Sequence, residues 1–168
     1  MEGFTIRKAV NADLKFMLDI QSMCYPSALV EAEYIFQSML DTSLVLLSKN
    51  KNEGLIGYLL AHPWHDIKSP PKLHSMLLDS NIATCFFLHD LTINPKYQRQ
   101  NLGLGTQLVK EIECFSNALP MCLVAVNNTA ISYWSRKHGF TPKALSCDAN
   151  ILDSYGDESA IYMVRVMG

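Results

Sequence analysis

The stretch from Leu91 to Val109 constrains this chain more than any other. A β-branched run, Leu91-Thr-Ile, ends in Asn94-Pro95, and a short polar segment follows. Two glycines spaced G-x-G, Gly103 and Gly105, then open an amphipathic helix. Strand, glycine turn and helix in that order present backbone N–H groups at a helix N-terminus, which is an anion site suited to phosphate or pyrophosphate. Glycine there lets a ligand approach the main chain closely. The plainer reading of the same residues is a turn into a helix. A dinucleotide fingerprint is excluded, because a third glycine and an acidic residue about 20 positions on are missing. No Gly-Lys-Ser/Thr follows, which excludes a P-loop.

The remaining sequence reads as one domain over residues 1–168, with a core of ordinary size. Hydrophobic residues make up 49% and charged residues 18%, a globular balance. A net charge of −2 gives no general attraction to nucleic acid or to anionic membrane. No apolar run approaches the roughly 20 residues that span a bilayer. The first residues lack the basic-then-apolar layout of a secretory signal. The five cysteines, Cys24, Cys85, Cys114, Cys122 and Cys147, are odd in number and form no C-x-x-C pair. Reduced thiols and a cytoplasmic location are therefore expected.

Periodicity predicts a strand over Phe4–Val10, then a helix capped by Asn11 or Asp13 that carries Leu14, Met17, Leu18 and Gln21 and stops at Pro26. A second helical pattern puts Leu29, Ala32, Ile35, Phe36 and Met39 on one side. Leu44–Leu47 and Leu55–Ala61 read as a hairpin about the turn from Asn50 to Gly54. His62 to about Ile82, broken by three prolines, reads as an irregular insertion with a small helix around Leu73–Leu78. Such a segment is usually functional or mobile. A long strand over Thr84–Asn94 follows, then the glycine turn and a helix buried through Leu104, Leu108, Ile112 and Phe115. A strand over Met121–Val126, a helix over Asn128–His138 stopped by Gly139, and last strands at Phe140 and Ala160–Val166 complete the chain. On periodicity alone the fold class is α/β or α+β with a mixed sheet.

Gln100-Asn-Leu-Gly103-Leu-Gly105 resembles the (Gln/Arg)-x-x-Gly-x-(Gly/Ala) signature of the GCN5-related N-acetyltransferases, which bind acetyl-coenzyme A. The element order β-α-α-β-β-β-α-β-α-β-β is similar to that fold over the whole chain, and the resemblance implies a splayed central strand pair. It also implies that the backbone of Arg99, Gln100, Asn101, Leu102, Gly103, Leu104, Gly105 and Thr106 surrounds the pyrophosphate. Leu91, Thr92 and Ile93 would pair with the pantetheine arm. Asn127 matches the family's asparagine three residues before a helical alanine, Ala130 here, and would bond the arm. A helix cap shared with Asn128 is the other reading of Asn127.

Acetyl transfer to an amine needs the thioester held, its carbonyl polarised, the ammonium deprotonated and the leaving thiolate protonated. Strand alternation puts His89 on one face with Phe87, Leu91 and Ile93, and Asp90 on the other. An imidazole with its ordinary pKa of about 6.5 suits a base at neutral pH. Leu88-His89-Asp90-Leu91-Thr92-Ile93 resembles the Leu-His-Ala-Leu-Ala-Val strand of the arylalkylamine branch, where two histidines two residues apart act through water. Phe87 stands in the first of those places, so the resemblance rests on His89 alone. A histidine satisfied within the sheet is the alternative. Asp90 reads as structural, orienting a loop.

Asn127 to Phe140 resembles the family's Asn-x-x-Ala-x-x-Phe-Tyr-x-x-x-Gly-Phe helix, whose tyrosine protonates the thiolate, but has one extra residue between Ala130 and Gly139. Counting from the alanine gives Trp134 and counting from the glycine gives Ser135, with Tyr133 adjacent. Tyr133 is thus the candidate acid, and aromatic packing its alternative. A coenzyme A thiol of ordinary acidity, about 8.5, could also leave unaided.

For the acceptor, Cys24-Tyr25-Pro26 with Leu29 and Glu31 loosely resembles the family's Cys-Pro-Leu loop. Tyr25, Trp64 and Phe87 would favour an apolar or aromatic amine. Glu31 and Glu33 could attract a cationic one, although a solvated helix face is the commoner fate of such residues. His62-Pro-Trp-His65 has no matching Cys or carboxylate nearby in sequence to complete a ligand set, so no metal is expected. Trp64 reads as a lid or pocket wall. The expectation is a small-molecule amine acceptor, no nucleic-acid or membrane partner, and acetyl-CoA as donor. A homodimer through late strands is among the arrangements the resemblance allows. Two other functions stay open: a non-catalytic acyl-CoA sensor, and a protein or peptide acetyltransferase acting on lysine or an N-terminus.

Overall fold

Leu14, Met17, Ile20 and Gln21 recur at helical spacing, and all four are buried on the first helix. The computed structural model describes residues 3–48, 54–75, 82–98, 100, 102–145, 149–156 and 158–166. The elements run β1 (Phe4–Lys8), α1 (Leu14–Cys24), α2 (Glu33–Met39), β2 (Leu44–Ser48), β3 (Leu55–Trp64), β4 (Cys85–Ile93), α3 (Leu104–Glu113), β5 (Met121–Ala125), α4 (Asn128–His138), β6 (Thr141–Pro142) and β7 (Ile161–Arg165). This is the expected β-α-α-β-β-β-α-β-α-β-β order. The strands hydrogen-bond in the order β1-β2-β3-β4-β5-β7-β6. All ladders given in register are antiparallel except β4–β5, which is parallel and covers two pairs, Phe86 with Met121 and Phe87 with Cys122.

Two compact units divide the chain, residues 1–61 with 90–115, and residues 62–89 with 116–168. The first holds β1, β2, α1, α2 and α3. Its core includes Met17, Ile35, Phe36, Met39, Leu44, Val45, Tyr58, Leu108 and Ile112. Phe36 meets the Tyr58 ring edge-on at 5.6 Å, a geometry that adds to area burial. The second holds β5, α4, β6 and β7. There Cys85, Phe87, Cys122, Tyr162 and Val164 form a buried cluster, with Trp64 and Ile67 packed against it. β3 and β4 each contribute residues to both units.

Three expectations need correction. The second helix starts only at Glu33. Ser27–Leu29 is a single 3-10 turn, and Ala32, expected on the buried side, is exposed in extended backbone at the helix entrance. The cause is Gln21, whose amide receives the Glu31 N–H at 2.8 Å and donates to the Glu31 carbonyl at 3.1 Å. That satisfies the Glu31 main chain without a helix. The second correction is β3, which continues past Ala61 to Trp64. Pro63 is tolerated near the strand end, and the Thr84 N–H reaches the Trp64 carbonyl at 2.9 Å. His62 to Trp64 are therefore sheet rather than insertion. Third, Asp13 does not cap α1. It bonds the Val10 N–H at 2.9 Å and grips Arg7 through both carboxylate oxygens, at 2.7 and 2.8 Å. Most of the turn from Asn50 to Gly54, the end of the small helix around Leu73–Leu78, and Cys147 lie outside the described residues.

Gly57 is a sheet position where only glycine fits. A Cβ built there would stand 2.7 Å from the Thr92 carbonyl oxygen and 3.2 Å from the Ile93 Cα, and backbone cannot step aside as a side chain can. Gly57→Ala should therefore cost about 1–3 kcal/mol of stability, as overpacking does, measured by urea unfolding. An unchanged midpoint would refute the close approach.

The Arg7–Asp13 pair predicts an acid response. Burial alone would raise the Asp13 carboxyl, but the Arg7 guanidinium and the Val10 N–H outweigh it and hold the group below its usual range. A lowered folded pKa means the unfolded chain binds the proton more readily. The contribution is thus present above the unfolded value of about 3.9 and lost as pH falls through the lower folded value. Urea unfolding between pH 7 and 3 should show Asp13→Asn with a shallower acid loss than the parent. Equal slopes would contradict the assignment.

Candidate functional site

In the first unit, β4 hands over to α3 through a turn held by side-chain amides. Asn94 accepts the Lys96 N–H at 3.0 Å, with Pro95 in the first turn position, so the strand ends abruptly. The Gln98 amide donates to the Ile93 carbonyl at 2.6 Å, the Gln100 amide to the Lys96 carbonyl at 2.7 Å, and the Gln107 amide to the Leu102 carbonyl at 3.1 Å. Gly103 is left-handed at φ 63°, and its missing Cβ would touch nothing. Backbone conformation, not space, therefore requires glycine there. The helix begins with Gln107 N–H to Gly103 carbonyl at 3.0 Å. The earlier N–H groups, at Leu104, Gly105 and Thr106, have no intrahelical acceptor and point out of the N-terminus. Thr92 and Leu104 are buried. Leu91, Ile93, Gly105 and Thr106 are half-buried, and Gln100, Leu102 and Gly103 are exposed. Arg99 and Asn101 lie outside the described residues.

Also in this unit, Asp90 is the hub of a hydroxyl cluster that strand alternation alone does not foretell. Its carboxylate accepts from the Tyr25 hydroxyl at 2.7 Å, the Tyr58 hydroxyl at 2.5 Å and the Thr92 hydroxyl at 2.7 Å. Burial pushes both phenols well up, and the Asp90 charge pushes them further. Cys24, just before Tyr25, donates its thiol to the Ile93 carbonyl at 3.6 Å, and burial likewise raises it. Glu31 does not sit on a solvated helix face. It is buried ahead of α2, with its main chain bound to Gln21. Glu33 is exposed in the first turn of α2.

In the second unit, four rings gather where β3 and β4 run side by side. His89 is half-buried, with its ring 6.0 Å from Phe87 and 6.0 Å from His62. His62 is 1% exposed, 5.5 Å from Phe87, with Nδ1 at 2.9 Å from the Pro63 carbonyl. A carbonyl only accepts, so Nδ1 carries a proton in this contact. Sequence reading missed this second histidine beside His89. It comes from the neighbouring strand, and the premature end assigned to β3 at Ala61 hid it. Phe87 is fully buried. Trp64 lies on β3 rather than in a loop. Its indole N–H donates to the Ser69 carbonyl at 2.7 Å, and its ring lies 4.2 Å from that of His65, tilted by 49°. Among the described residues no three His, Cys, Asp or Glu side chains converge as metal ligands.

On α4, Asn127 is the N-cap, its Oδ1 taking the Ala130 N–H at 2.9 Å. The cap uses only the acceptor end of the amide. Gly139 closes the helix at φ 70°, with the Phe140 N–H returning to the Trp134 carbonyl at 3.2 Å. Trp134 is buried against Phe140 and His138, at 5.4 and 5.3 Å. Tyr133 is half-buried and lines an open cavity with Asn128, Thr129, Ser132, Arg136 and Lys137. Trp134 is thus core, while the ring of Tyr133 both borders the cavity and packs edge-on against Trp134 and His138, at 5.2 and 5.0 Å.

Similarity to known proteins follows the same elements. The loading GNATL domain of CurA from Lyngbya majuscula superposes with a TM-score of 0.72 at 12% identity, covering 98% of this chain and 97% of that one. The GphF GNAT-like decarboxylase in complex with isobutyryl-CoA gives 0.73 at 13%, covering 98% and 100%. Arabidopsis thaliana Naa50 in complex with the bisubstrate analogue CoA-Ac-MVNAL gives 0.62 at 10%, covering 96% of each. At such identities these likenesses speak for the fold alone. A search of curated proteins returned no match. Residues 14–140 match the acetyltransferase (GNAT) family, a span that runs from the start of α1 to the residue after Gly139, and the chain belongs to that family.

Proposed function

We propose that the protein is an acetyl-CoA-dependent N-acetyltransferase that acts on a primary amine, a small molecule, by direct attack in a ternary complex. The observation that carries the reading is the passage from β4 through the left-handed Gly103 into α3. It supplies backbone donors and a positive helix end to an anion, as a pyrophosphate requires. Bound acetyl-CoA would supply the activated acetyl thioester.

The chain's own residues then divide the work. The backbone from Gln100 to Thr106, with Arg99 and Asn101, holds the pyrophosphate. The Leu91–Ile93 backbone holds the pantetheine arm. The acetyl oxygen is an acceptor, so the N–H groups of that segment would meet it. Asn127 keeps its amide N–H donors for the arm while its oxygen caps α4. His89 accepts the proton of the attacking amine, and Tyr133 donates one to the departing thiolate. Of the aromatic residues expected at the acceptor, Phe87 is fully buried and lines no open surface, and Tyr25 is half-buried with its hydroxyl on Asp90. The fold itself does not choose the acceptor: the solved relatives include a decarboxylase and an enzyme caught with a peptide-bearing analogue.

Thiol release from acetyl-CoA with tryptamine, spermidine and a lysine peptide, beside calorimetric binding of coenzyme A, tests the reading. The expected result is release that is fastest with tryptamine. His89→Ala should lower kcat by about 100-fold and Tyr133→Phe by about tenfold, each with coenzyme affinity unchanged. Binding without release from any amine would favour the sensor, and release with the lysine peptide alone would favour protein acetylation. An unchanged rate in His89→Ala would remove it as the base.

A further inference from the structure

The segment that follows α1 is fastened at both ends. At its start, consecutive residues reach β4 on either side of Leu91 and Thr92. The Cys24 thiol bonds the Ile93 carbonyl at 3.6 Å, and the Tyr25 hydroxyl bonds Asp90 at 2.7 Å. At its end, the Gln21 amide holds the Glu31 main chain through both N–H and carbonyl. Between these clamps lies the 3-10 turn Ser27–Leu29, closed by Leu29 N–H to Pro26 carbonyl at 2.9 Å. Ser27 and Ala28 are exposed and Leu29 and Val30 half-buried, so burial holds this turn only in part and the clamps at its ends help to place it. The residues that lead into this turn, Cys24 and Tyr25, lie against the Asp90–Ile93 part of β4.

Asp90 is the centre of the first clamp. It lies one residue from His89, yet its oxygens are engaged by three hydroxyls, from Tyr25, Tyr58 and Thr92. Tyr58 is fully buried and Thr92 is 3% exposed, so those two donors are fixed by the sheet. The Tyr25 hydroxyl is the only member of the trio carried by the segment after α1. Asp90 thus transfers the rigidity of the sheet to that segment through a charge-assisted bond, stronger than one between neutral groups.

We propose that Asp90 is a positioning residue for the acceptor: through Tyr25 it holds the turn at Pro26–Val30 against the donor-binding part of β4 and so sets which amines fit. The proposal rests on the acetyltransferase reading above. It assigns Asp90 neither proton transfer nor a direct ion pair with the substrate.

Asp90→Asn and Tyr25→Phe test it, the second because it removes one hydroxyl and is the safer variant for folding. Both should raise the acceptor KM about fivefold or more while coenzyme A affinity stays within about twofold, and the double variant should be no worse than Asp90→Asn alone. Hydrogen–deuterium exchange should quicken in residues 25–32 and not in α3. Unchanged exchange in residues 25–32 overturns the clamp, whatever the enzyme does. Faster exchange with an unchanged acceptor KM in an active variant overturns the positioning role alone. A parent protein that binds coenzyme A but acetylates no amine overturns the acetyltransferase reading instead, and the exchange result still decides whether Asp90 holds the turn.

Discussion

A central strand owes hydrogen bonds along both edges, and everything distinctive in this chain follows from how β4 meets that obligation. Its ladder with β5 ends after Phe87. Further along, the main chain is fastened by side chains instead: Gln98 and Cys24 on the Ile93 carbonyl, and Asn94 turning the chain into its 3-10 bend. On the β3 side the two backbones come so close that Gly57 admits no Cβ. Strand β4 is thereby held straight up to the point where the turn to Gly103 begins. For the proposed donor-binding role this fastening matters, since ordering the strand on binding would weaken affinity.

Where the sequence was legible, local chemistry decided the outcome. The α4 boundaries follow from Asn127 and Gly139, a cap and a left-handed stop that need no distant partner. Gly103 was readable for the same reason. The failures share an opposite cause. Helix α2 begins late because Gln21, ten residues earlier, takes over the Glu31 main chain. β3 outruns Pro63 because β4 supplies a donor from Thr84. His62 and the Tyr25–Tyr58–Asp90 cluster depend on which residues face each other across strands, and spacing along one strand says nothing of that. Alternation did put Asp90 and His89 on opposite faces, and the partners found for each agree: rings around His89, hydroxyls around Asp90.

The aromatic pair on α4 illustrates how burial resolves what counting leaves open. One inserted residue makes the register ambiguous between Trp134 and Ser135. Packing against Phe140, itself under the Arg165 guanidinium at 5.2 Å, draws Trp134 inward. Successive residues on a helix stand about 100° apart, so Tyr133 cannot follow it into the core. Its ring lies half-buried between Trp134, His138 and the cavity.

The same accounting bears on what could bind as acceptor. Of the carboxylates that could draw a cationic amine, Glu33 is exposed on the first turn of α2, whereas Glu31 and Asp90 are drawn inward. Glu31 is buried ahead of α2, and Asp90 spends its charge on three hydroxyls. A carboxylate that already accepts from three hydroxyls, as Asp90 does, offers an incoming ammonium a weakened field, and the amine would lose hydration to reach it. Attraction of the acceptor would then come from its apolar body against aromatic surfaces. That is why tryptamine, rather than spermidine, is the amine expected to react fastest. It is also why Asp90 is expected to act on the acceptor through the position of Tyr25 and not through its charge.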